Sequence, residues 1–277
     1  MKYSTITSGV AIAALMAIGG TAAQATVTYD DNVTSNVIVG DGIANGGFTV
    51  DRANGVELGL RGKLRFDSSD LPQNTYNSNG DGTYSFAAGT PGTGYGFDPS
   101  SPATTPIWNI EWSINTDYLG QGNNARLSGM FFQLDIDFDA GLGTNFLSFD
   151  PIHVACSDNA LGFNSTPMGG GEEVDCSAAG ADALYASYLT DANLAQNSWN
   201  MEFFNDGVFS TFDPNADGTY TFMLTAFDGN QQQLAQTSID IIVGAGANQV
   251  PEPATLGLMG VGLAGLGFAA RRRRKTA

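Results

Sequence analysis

The stretch VELGLRGKLRF, residues 56–66, carries the clearest structural pattern in this chain of 277 residues. Apolar residues and one glycine alternate along it with charged residues and a second glycine. A period of two places successive side chains on opposite faces of a β-strand. We therefore predict a long strand with one apolar and one cationic face. The cations on that face are Arg61, Lys63 and Arg65.

Other segments show strand or helix periods. Residues 108–114 place two tryptophans on one strand face, and residues 132–139 place apolar side chains opposite an acidic face. Further strands are predicted at residues 33–39, 48–51, 84–87, 145–149, 219–227 and 237–243. A helical period is found at residues 181–195. Many short strands and one helix favour a sandwich of two sheets over an α/β fold.

The fold prediction is thus an all-β protein, a β-sandwich with one short helix. We expect residues 26–247 to form a single acidic domain, because sandwiches of this size commonly run as one unit. Aspartate, glycine, asparagine and serine between the apolar segments supply the turns. Jelly-roll and immunoglobulin-like topologies both remain open.

The cationic stripe has an acidic counterpart in Asp135, Asp137 and Asp139, which repeat with the same two-residue step. Opposite charges facing each other across a ladder contribute roughly 0.2–1 kcal/mol per pair. We hypothesise that these two strands are neighbours. A solvated acidic face is one alternative. A calcium site is another, although alternate residues of a flat strand, about 6.5–7 Å apart, form a poor cage.

A motif of the form [D/N]-x-N-x-D-G-T-Y-[S/T]-F occurs twice, at residues 77–86 and 213–222. Its alternating Asx residues before a glycine resemble the first half of an EF-hand calcium loop. Both copies lack the bidentate glutamate of such a loop. Two interpretations follow: an Asx-rich turn that begins a strand, or a weak calcium site at Asp213, Asn215 and Asp217.

Cysteine and histidine are scarce. Cys156 and Cys176 are the only cysteines, and in an oxidising compartment we expect them to pair. A disulfide closing such a loop contributes about 3 kcal/mol in the chain-entropy model. His153 is the only histidine. Because no G-x-S-x-G motif accompanies it, we predict a structural role for His153.

The N-terminal residues have the features of a secretory signal peptide. Lys2 provides a positive start, residues 10–18 are apolar but too few to span a bilayer, and Ala23-Gln24-Ala25 forms an A-x-A cleavage site. We predict that residues 1–25 are removed by signal peptidase and that the mature chain begins at Thr26.

The C-terminal residues combine three elements in a fixed order. Pro251, Glu252 and Pro253 hold an extended backbone. Residues 254–270 form an uncharged apolar run of about 25 Å as a helix, close to a ~30 Å hydrocarbon core. We predict that this run is a transmembrane helix. Basic residues follow it: Arg271, Arg272, Arg273, Arg274 and Lys275. By the positive-inside rule they stay cytoplasmic, and the domain lies on the outer face.

This order resembles the PEP-CTERM sorting signal of Gram-negative bacteria, here covering residues 248–277. The resemblance implies an exosortase, a membrane-embedded protease that acts on the Pro-Glu-Pro region. It also implies an association with exopolysaccharide or biofilm matrix. The expected product faces the periplasm from the inner membrane before processing and reaches the cell surface or medium afterwards.

The net charge of the central domain limits the classes of partner that it can bind. Without Lys2 and the five tail cations it has 5 basic residues, and without Glu252 it has 27 acidic ones, so its net charge is −22. Nucleic acid and anionic lipid surfaces are therefore excluded as main partners. Divalent cations and cationic polymers are compatible with this charge.

Three function classes follow. The first is a non-catalytic surface or extracellular-matrix protein that needs no cofactor. The second is a carbohydrate- or calcium-binding module, based on Tyr95, Phe97 and Tyr118 near glycine-rich loops. The third is a polysaccharide hydrolase using Glu111 and Glu202, since paired carboxylates perform that chemistry. We predict the first class and no enzymatic activity.

Overall fold

The computed structural model describes residues 26–34, 43–65, 74–91, 104–122, 125–153, 156–204 and 212–247. Within these residues the chain forms two β-sheets, one α-helix and two short 3-10 helices. The prediction of an all-β fold with one short helix is confirmed.

Eleven strands make up the two sheets in these ranges. In chain order they are β1 Thr26–Asp31, β2 Phe48–Ala53, β3 Val56–Leu64, β4 Thr83–Phe86, β5 Trp108–Asn115, β6 Phe131–Asp137, β7 Phe146–Phe149, β8 Ala160–Gly162, β9 Leu194–Trp199, β10 Gly218–Phe227 and β11 Gln233–Val243. Helix α1 spans Ala181–Asp191, and the 3-10 helices span Leu127–Gly129 and Met201–Phe204.

One sheet has six strands in the order β1-β2-β3-β5-β9-β8, and all neighbours in it are antiparallel. The other has five strands in the order β4-β11-β10-β6-β7. In the second sheet β4 runs parallel to β11, and the other neighbours are antiparallel. Strand β3 packs face to face against β10 and β11, so the two sheets enclose a common core.

Aromatic residues fill one end of this core. Trp108 packs edge-on against Phe212 and Phe222, with ring centroids 6.1 Å apart in both pairs. The sheets approach closely at Gly62, where an added Cβ would lie 2.7 Å from a side-chain carbon of Ile241. The missing side chain at Gly62 is therefore what permits this contact.

The predicted elements agree with the structure to within about two residues except in four places, the first being that β11 begins at Gln233, four residues before the predicted strand 237–243. Residues 33 and 34 are not in a strand, and residues 35–39 of that predicted strand lie outside the described ranges. The predicted helix 181–195 ends at Asp191, because Ala192 is extended and Leu194 begins β9. Strands β1, β8 and β9 were not predicted.

The predicted pairing of the two charged stripes is wrong. Strand β3 lies in the six-stranded sheet and β6 in the five-stranded sheet. The neighbour that faces the cations is β5, which places Glu111 opposite Arg61. Asp135 instead lies between Ser148 on β7 and Met223 on β10.

The predicted signal peptide 1–25, the predicted membrane span 254–270 and the residues of the sorting signal lie outside the described ranges. Among the residues that are described, none of the helices has the length and apolar character needed to cross a membrane.

Candidate functional site

A buried ionic cluster lies on the face of the six-stranded sheet that points away from the core. The Glu111 carboxylate accepts a hydrogen bond from Arg61 Nε at 2.6 Å, and its other oxygen lies 2.7 Å from Lys63 Nζ. Arg61 is 0 % exposed, Glu111 1 % and Lys63 5 %. Two of the three cations predicted for the face of β3, Arg61 and Lys63, are therefore buried and paired with Glu111 on β5.

Loops over this face hold Arg61 in place. Its guanidinium carbon lies 4.2 Å from the Phe48 ring centroid and 4.0 Å from that of Tyr76. Arg61 also donates to the carbonyl oxygens of Ala44 at 3.1 Å and Gly46 at 2.5 Å. Cation–π contacts and carbonyl acceptors compensate a guanidinium for the loss of water.

Burial by itself raises the pKa of the Glu111 carboxyl, but Arg61 and Lys63 outweigh it and hold that pKa below its ordinary value. Glu111 is thus an anion that stabilises two cations. A general acid needs a raised pKa, which is the opposite direction.

Glu202, the other carboxylate predicted for a hydrolase, is also held by a cation. It lies 2.5 Å from Arg65 Nη1 and accepts a hydrogen bond from the Thr105 hydroxyl. Its side chain is 8 % exposed. Each member of the predicted pair therefore contacts its own basic partner on or beside β3.

The acidic stripe of β6 is mostly buried as well. Asp135 accepts from Gln133 Nε2 at 2.9 Å and from the Ser148 hydroxyl. Asp137 accepts from the backbone N–H of Asn145 at 2.7 Å. Asp139 is the exposed member of the stripe. Of the alternatives for the stripe, the solvated face therefore applies only to Asp139.

The first copy of the repeated motif, residues 77–86, forms an Asx turn. One Asp81 oxygen accepts from the Thr83 backbone at 3.0 Å and from the Thr83 hydroxyl at 2.7 Å. Gly82 has φ +90°, a left-handed conformation that glycine adopts without strain. This copy matches the interpretation of a turn that begins a strand, here β4.

The second copy, residues 213–222, resembles the first in sequence more than in geometry. One Asp213 oxygen accepts from the Asn215 backbone at 2.9 Å. Gly218 lacks the left-handed φ of Gly82. It is needed instead for close approach, since an added Cβ would lie 2.8 Å from Cβ of Ala140. The glycine at the same position of the two copies therefore has two different roles: Gly82 allows a left-handed turn, and Gly218 allows close packing.

The two copies flank one strand. Tyr84 on β4 and Tyr220 on β10 both pair with Ile241 of β11, from opposite sides. Across the described ranges, no group of three or more His, Cys, Asp or Glu side chains is arranged to hold a metal ion. Asp217 lies against the backbone of Gly244, where an added Cβ would meet its carboxylate.

The predicted disulfide is present. Cys156 and Cys176 are bonded with their Cα atoms 5.5 Å apart. The Cys156 backbone N–H donates to Asp182 at 3.1 Å, which ties the bridge to the first turn of α1. The bridge thus fastens the segment after β7 to the approach to the helix.

His153 takes part in packing and in one side-chain hydrogen bond. Its Nδ1 lies 2.9 Å from Asp150, and its ring stacks on Phe132 at an interplanar angle of 5°. Burial by itself raises the pKa of Asp150, yet hydrogen bonds from His153 and from backbone N–H groups lower it overall. These contacts agree with a structural role.

Sequence analysis missed an aromatic seam where β7 and β9 approach. Trp199 stacks on Phe149 with centroids 5.7 Å apart, and Phe204 lies 5.7 Å from Trp199. These three rings are partly exposed, and the neighbouring Phe203 is 57 % exposed. Of the aromatics proposed for carbohydrate contact, Tyr118 is half-buried, whereas Tyr95 and Phe97 lie outside the described residues.

The chain leaves the fold at the end of β11 but stays attached for four more residues. The Gly244 backbone donates to the Phe86 carbonyl at 2.9 Å, and the Ala247 backbone donates to the Thr219 hydroxyl at 3.0 Å. Residues from 248 onwards lie outside the described ranges.

Comparison with known proteins identifies this C-terminal segment. No curated protein and no solved structure matches the chain. Residues 249–274 match the family model described as the PEP-CTERM protein-sorting motif, and this range includes Pro251, Glu252 and Pro253. The chain therefore carries a PEP-CTERM sorting signal, which makes it an exported protein that is sorted as an exosortase substrate.

Proposed function

We propose that this protein is a non-catalytic component of the cell surface or extracellular matrix. Signal peptidase removes residues 1–25, and the helix 254–270 anchors the domain on the periplasmic face of the inner membrane. An exosortase then cuts near Pro251-Glu252-Pro253 and releases or re-anchors the domain. The sorting motif at residues 249–274 is the observation that carries this proposal.

Two features of the domain support a structural role. Glu111 and Glu202, the residues proposed for a hydrolase, are both held by cations. The disulfide between Cys156 and Cys176 suits an oxidising, extracytoplasmic compartment. We propose that the domain works without a cofactor and associates with exopolysaccharide. Its charge of −22 favours contact through cations or cationic polymers.

The deciding experiment compares the location and C-terminal mass of the protein in strains with and without an exosortase. We expect a C-terminus shortened near residues 251–253 and a surface or extracellular product in the first strain only. An intact tail in both strains would contradict the proposal.

The aromatic seam supports a second candidate, a carbohydrate-binding module. Sugar rings stack on exposed aromatic faces, and Phe203 has Arg65 5.9 Å from its ring centroid, which adds hydrogen-bond donors beside the ring. This candidate predicts that Phe203→Ala weakens binding to purified exopolysaccharide. The matched control is Leu184→Ala, which removes a 47 % exposed apolar side chain from helix α1. Equal binding by both variants would exclude a sugar contact at Phe203.

A further inference from the structure

Four loops meet where the chain leaves the fold. The Gly89 backbone donates to the Pro214 carbonyl at 2.6 Å, which joins the loop after β4 to the loop before β10. The Thr219 backbone donates to the Ala140 carbonyl at 3.2 Å, which joins β10 to the β6–β7 hairpin. Ala247 is attached to the same group through the Thr219 hydroxyl. This end of the sandwich is therefore one connected surface.

The sorting motif follows this surface closely in the sequence, because it begins at residue 249, two residues after Ala247. Ala247 is fixed, and Pro251 follows it by four residues. An extended chain spans at most about 3.6 Å per residue, so Pro251 lies within roughly 14 Å of Ala247 whatever path the chain takes. An enzyme that cuts at Pro251-Glu252-Pro253 is therefore held within a short chain length of the folded domain.

The exposed side chains around Ala247 are mostly acidic and include one large apolar residue. Three carboxylates are exposed there, and Leu142 in the β6–β7 hairpin is 65 % exposed. We name this set the exit surface: Asp139, Leu142, Asp213 and Asp217. An anionic lipid surface repels such a set, whereas a protein with basic groups around an apolar patch complements it.

We propose that the exit surface is a docking surface for the membrane-embedded protease that reads the sorting motif. The partner's outer rim would carry basic or hydrogen-bond-donating groups that face the three carboxylates, with an apolar contact for Leu142. The short link from Ala247 holds the two surfaces together, so weak contacts act at a high effective concentration. This inference rests on exosortase sorting, because it names a second contact for the same enzyme.

The opposite end of the sandwich provides matched controls. Glu57, Asn115, Leu194 and Gly162 lie in one row across the six-stranded sheet. Leu64 lies at the end of β3 nearer the exit surface, because it pairs with Trp108, which packs against Phe212 next to Asp213. The row is seven residues along β3 from Leu64, or about 23 Å at the usual rise. Exposed residues near this end are the control set: Leu119, Glu172, Glu173 and Asp191.

The first test is photocrosslinking of the full chain in vesicles that contain the exosortase. A benzoyl-phenylalanine replaces Leu142, and in the control it replaces Leu119, which is 54 % exposed. We expect a protein adduct from position 142 and none from position 119. Adducts with lipid alone, or equal protein adducts from both positions, would overturn the docking surface.

The second test measures processing rates. Asp139→Asn, Asp213→Asn and Asp217→Asn together keep the side-chain carbonyl oxygens and remove three charges. We expect processing to slow about fivefold, as for the loss of several rim charges. Neutralising Glu172, Glu173 and Asp191 should leave the rate unchanged. A ten-residue Gly-Ser spacer after Ala247 should shrink the fivefold difference to below about twofold.

The outcomes separate the two proposals. If the parent chain is not cut by the exosortase, the sorting proposal fails and the docking surface fails with it. If the parent is cut and the exit-surface variant is cut equally fast, only the docking surface fails. A slow variant that stays fivefold slow with the spacer also overturns it, because the charges would then act without proximity. Thermal melting of each variant excludes misfolding as the cause.

Discussion

Glu111→Gln should be strongly destabilising, because it removes the carboxylate that pairs with two buried cations. Arg61 and Lys63 are 0 % and 5 % exposed and lie within 2.7 Å of Glu111. Removing one partner of a buried ion pair typically costs about 3–5 kcal/mol, because the remaining charge stays in a poorly hydrated place. Here two charges are left, so we expect a loss of about 4–5 kcal/mol. At ~2–4 °C per kcal/mol for a domain of this size, Tm falls by about 8–20 °C.

The assay is urea unfolding of the purified protein, followed by the fluorescence of buried tryptophans. Asp31→Asn is the control, because Asp31 pairs with Arg52 at 2.7 Å with both side chains more than a quarter exposed. Exposed pairs contribute about 0–1 kcal/mol. A Glu111→Gln loss no larger than that of Asp31→Asn would refute the reasoning.

A triple replacement separates charge from packing. Arg61→Met, Lys63→Met and Glu111→Leu remove all three charges, and such apolar replacements of buried ion clusters are often neutral or stabilising. We expect the triple variant to regain most of the stability lost by Glu111→Gln.

The pH dependence of the free energy of unfolding tests the same ion cluster independently. Because the pKa of Glu111 is lowered in the fold, its stabilisation is present above the ordinary carboxyl pKa. It is lost as pH falls through the folded value.

Three other variants or conditions test separate parts of the fold. Replacing Cys156 and Cys176 by serine should lower the free energy of unfolding by about 3 kcal/mol, measured by urea unfolding; no loss would mean that the loop is held by its other contacts. Gly62→Ala should cost about 1–3 kcal/mol by overpacking against Ile241, and an unchanged Tm would show that the sheets can separate there. Millimolar calcium should leave Tm unchanged, whereas a rise that is abolished by Asp213→Asn would establish the calcium site instead.

Periodicity predicted the strands well where one face is apolar along the whole strand. In β5 the side chains of Trp108, Ile110 and Trp112 alternate with polar ones, and the strand begins and ends close to the prediction. Periodicity contains no information on which strands are neighbours. The pairing of Arg61 with Glu111 depends on the order of strands in the sheet, and the two residues are 50 positions apart.

Strand β9 was missed because two of its four buried residues, Gln196 and Asn197, are polar. Gln196 is 0 % exposed and donates to the Ser113 hydroxyl at 2.9 Å, and Asn197 donates to Asn159 at 2.8 Å. Such residues have the composition of a loop, although their hydrogen bonds satisfy them inside a sheet. The helical period also continues past Asp191 into Leu194 and Ala195, which explains the wrong helix end.

The residues of the sorting signal are consecutive in the sequence, whereas those of the exit surface are distant in the sequence and are brought together by the fold. The order of residues in the signal is enough to identify it by sequence comparison, so residues 249–274 were found without knowledge of the fold. The exit surface combines Asp139, Leu142, Asp213 and Asp217, which lie up to 78 positions apart and meet only through β6 and β10. A protease that reads both would distinguish a folded domain from an unfolded one carrying the same tail. On this reasoning, Glu111→Gln should slow processing at temperatures between its own Tm and that of the parent chain, even though the tail sequence is intact. Equal processing of folded and urea-unfolded chains would show that the enzyme reads the tail alone.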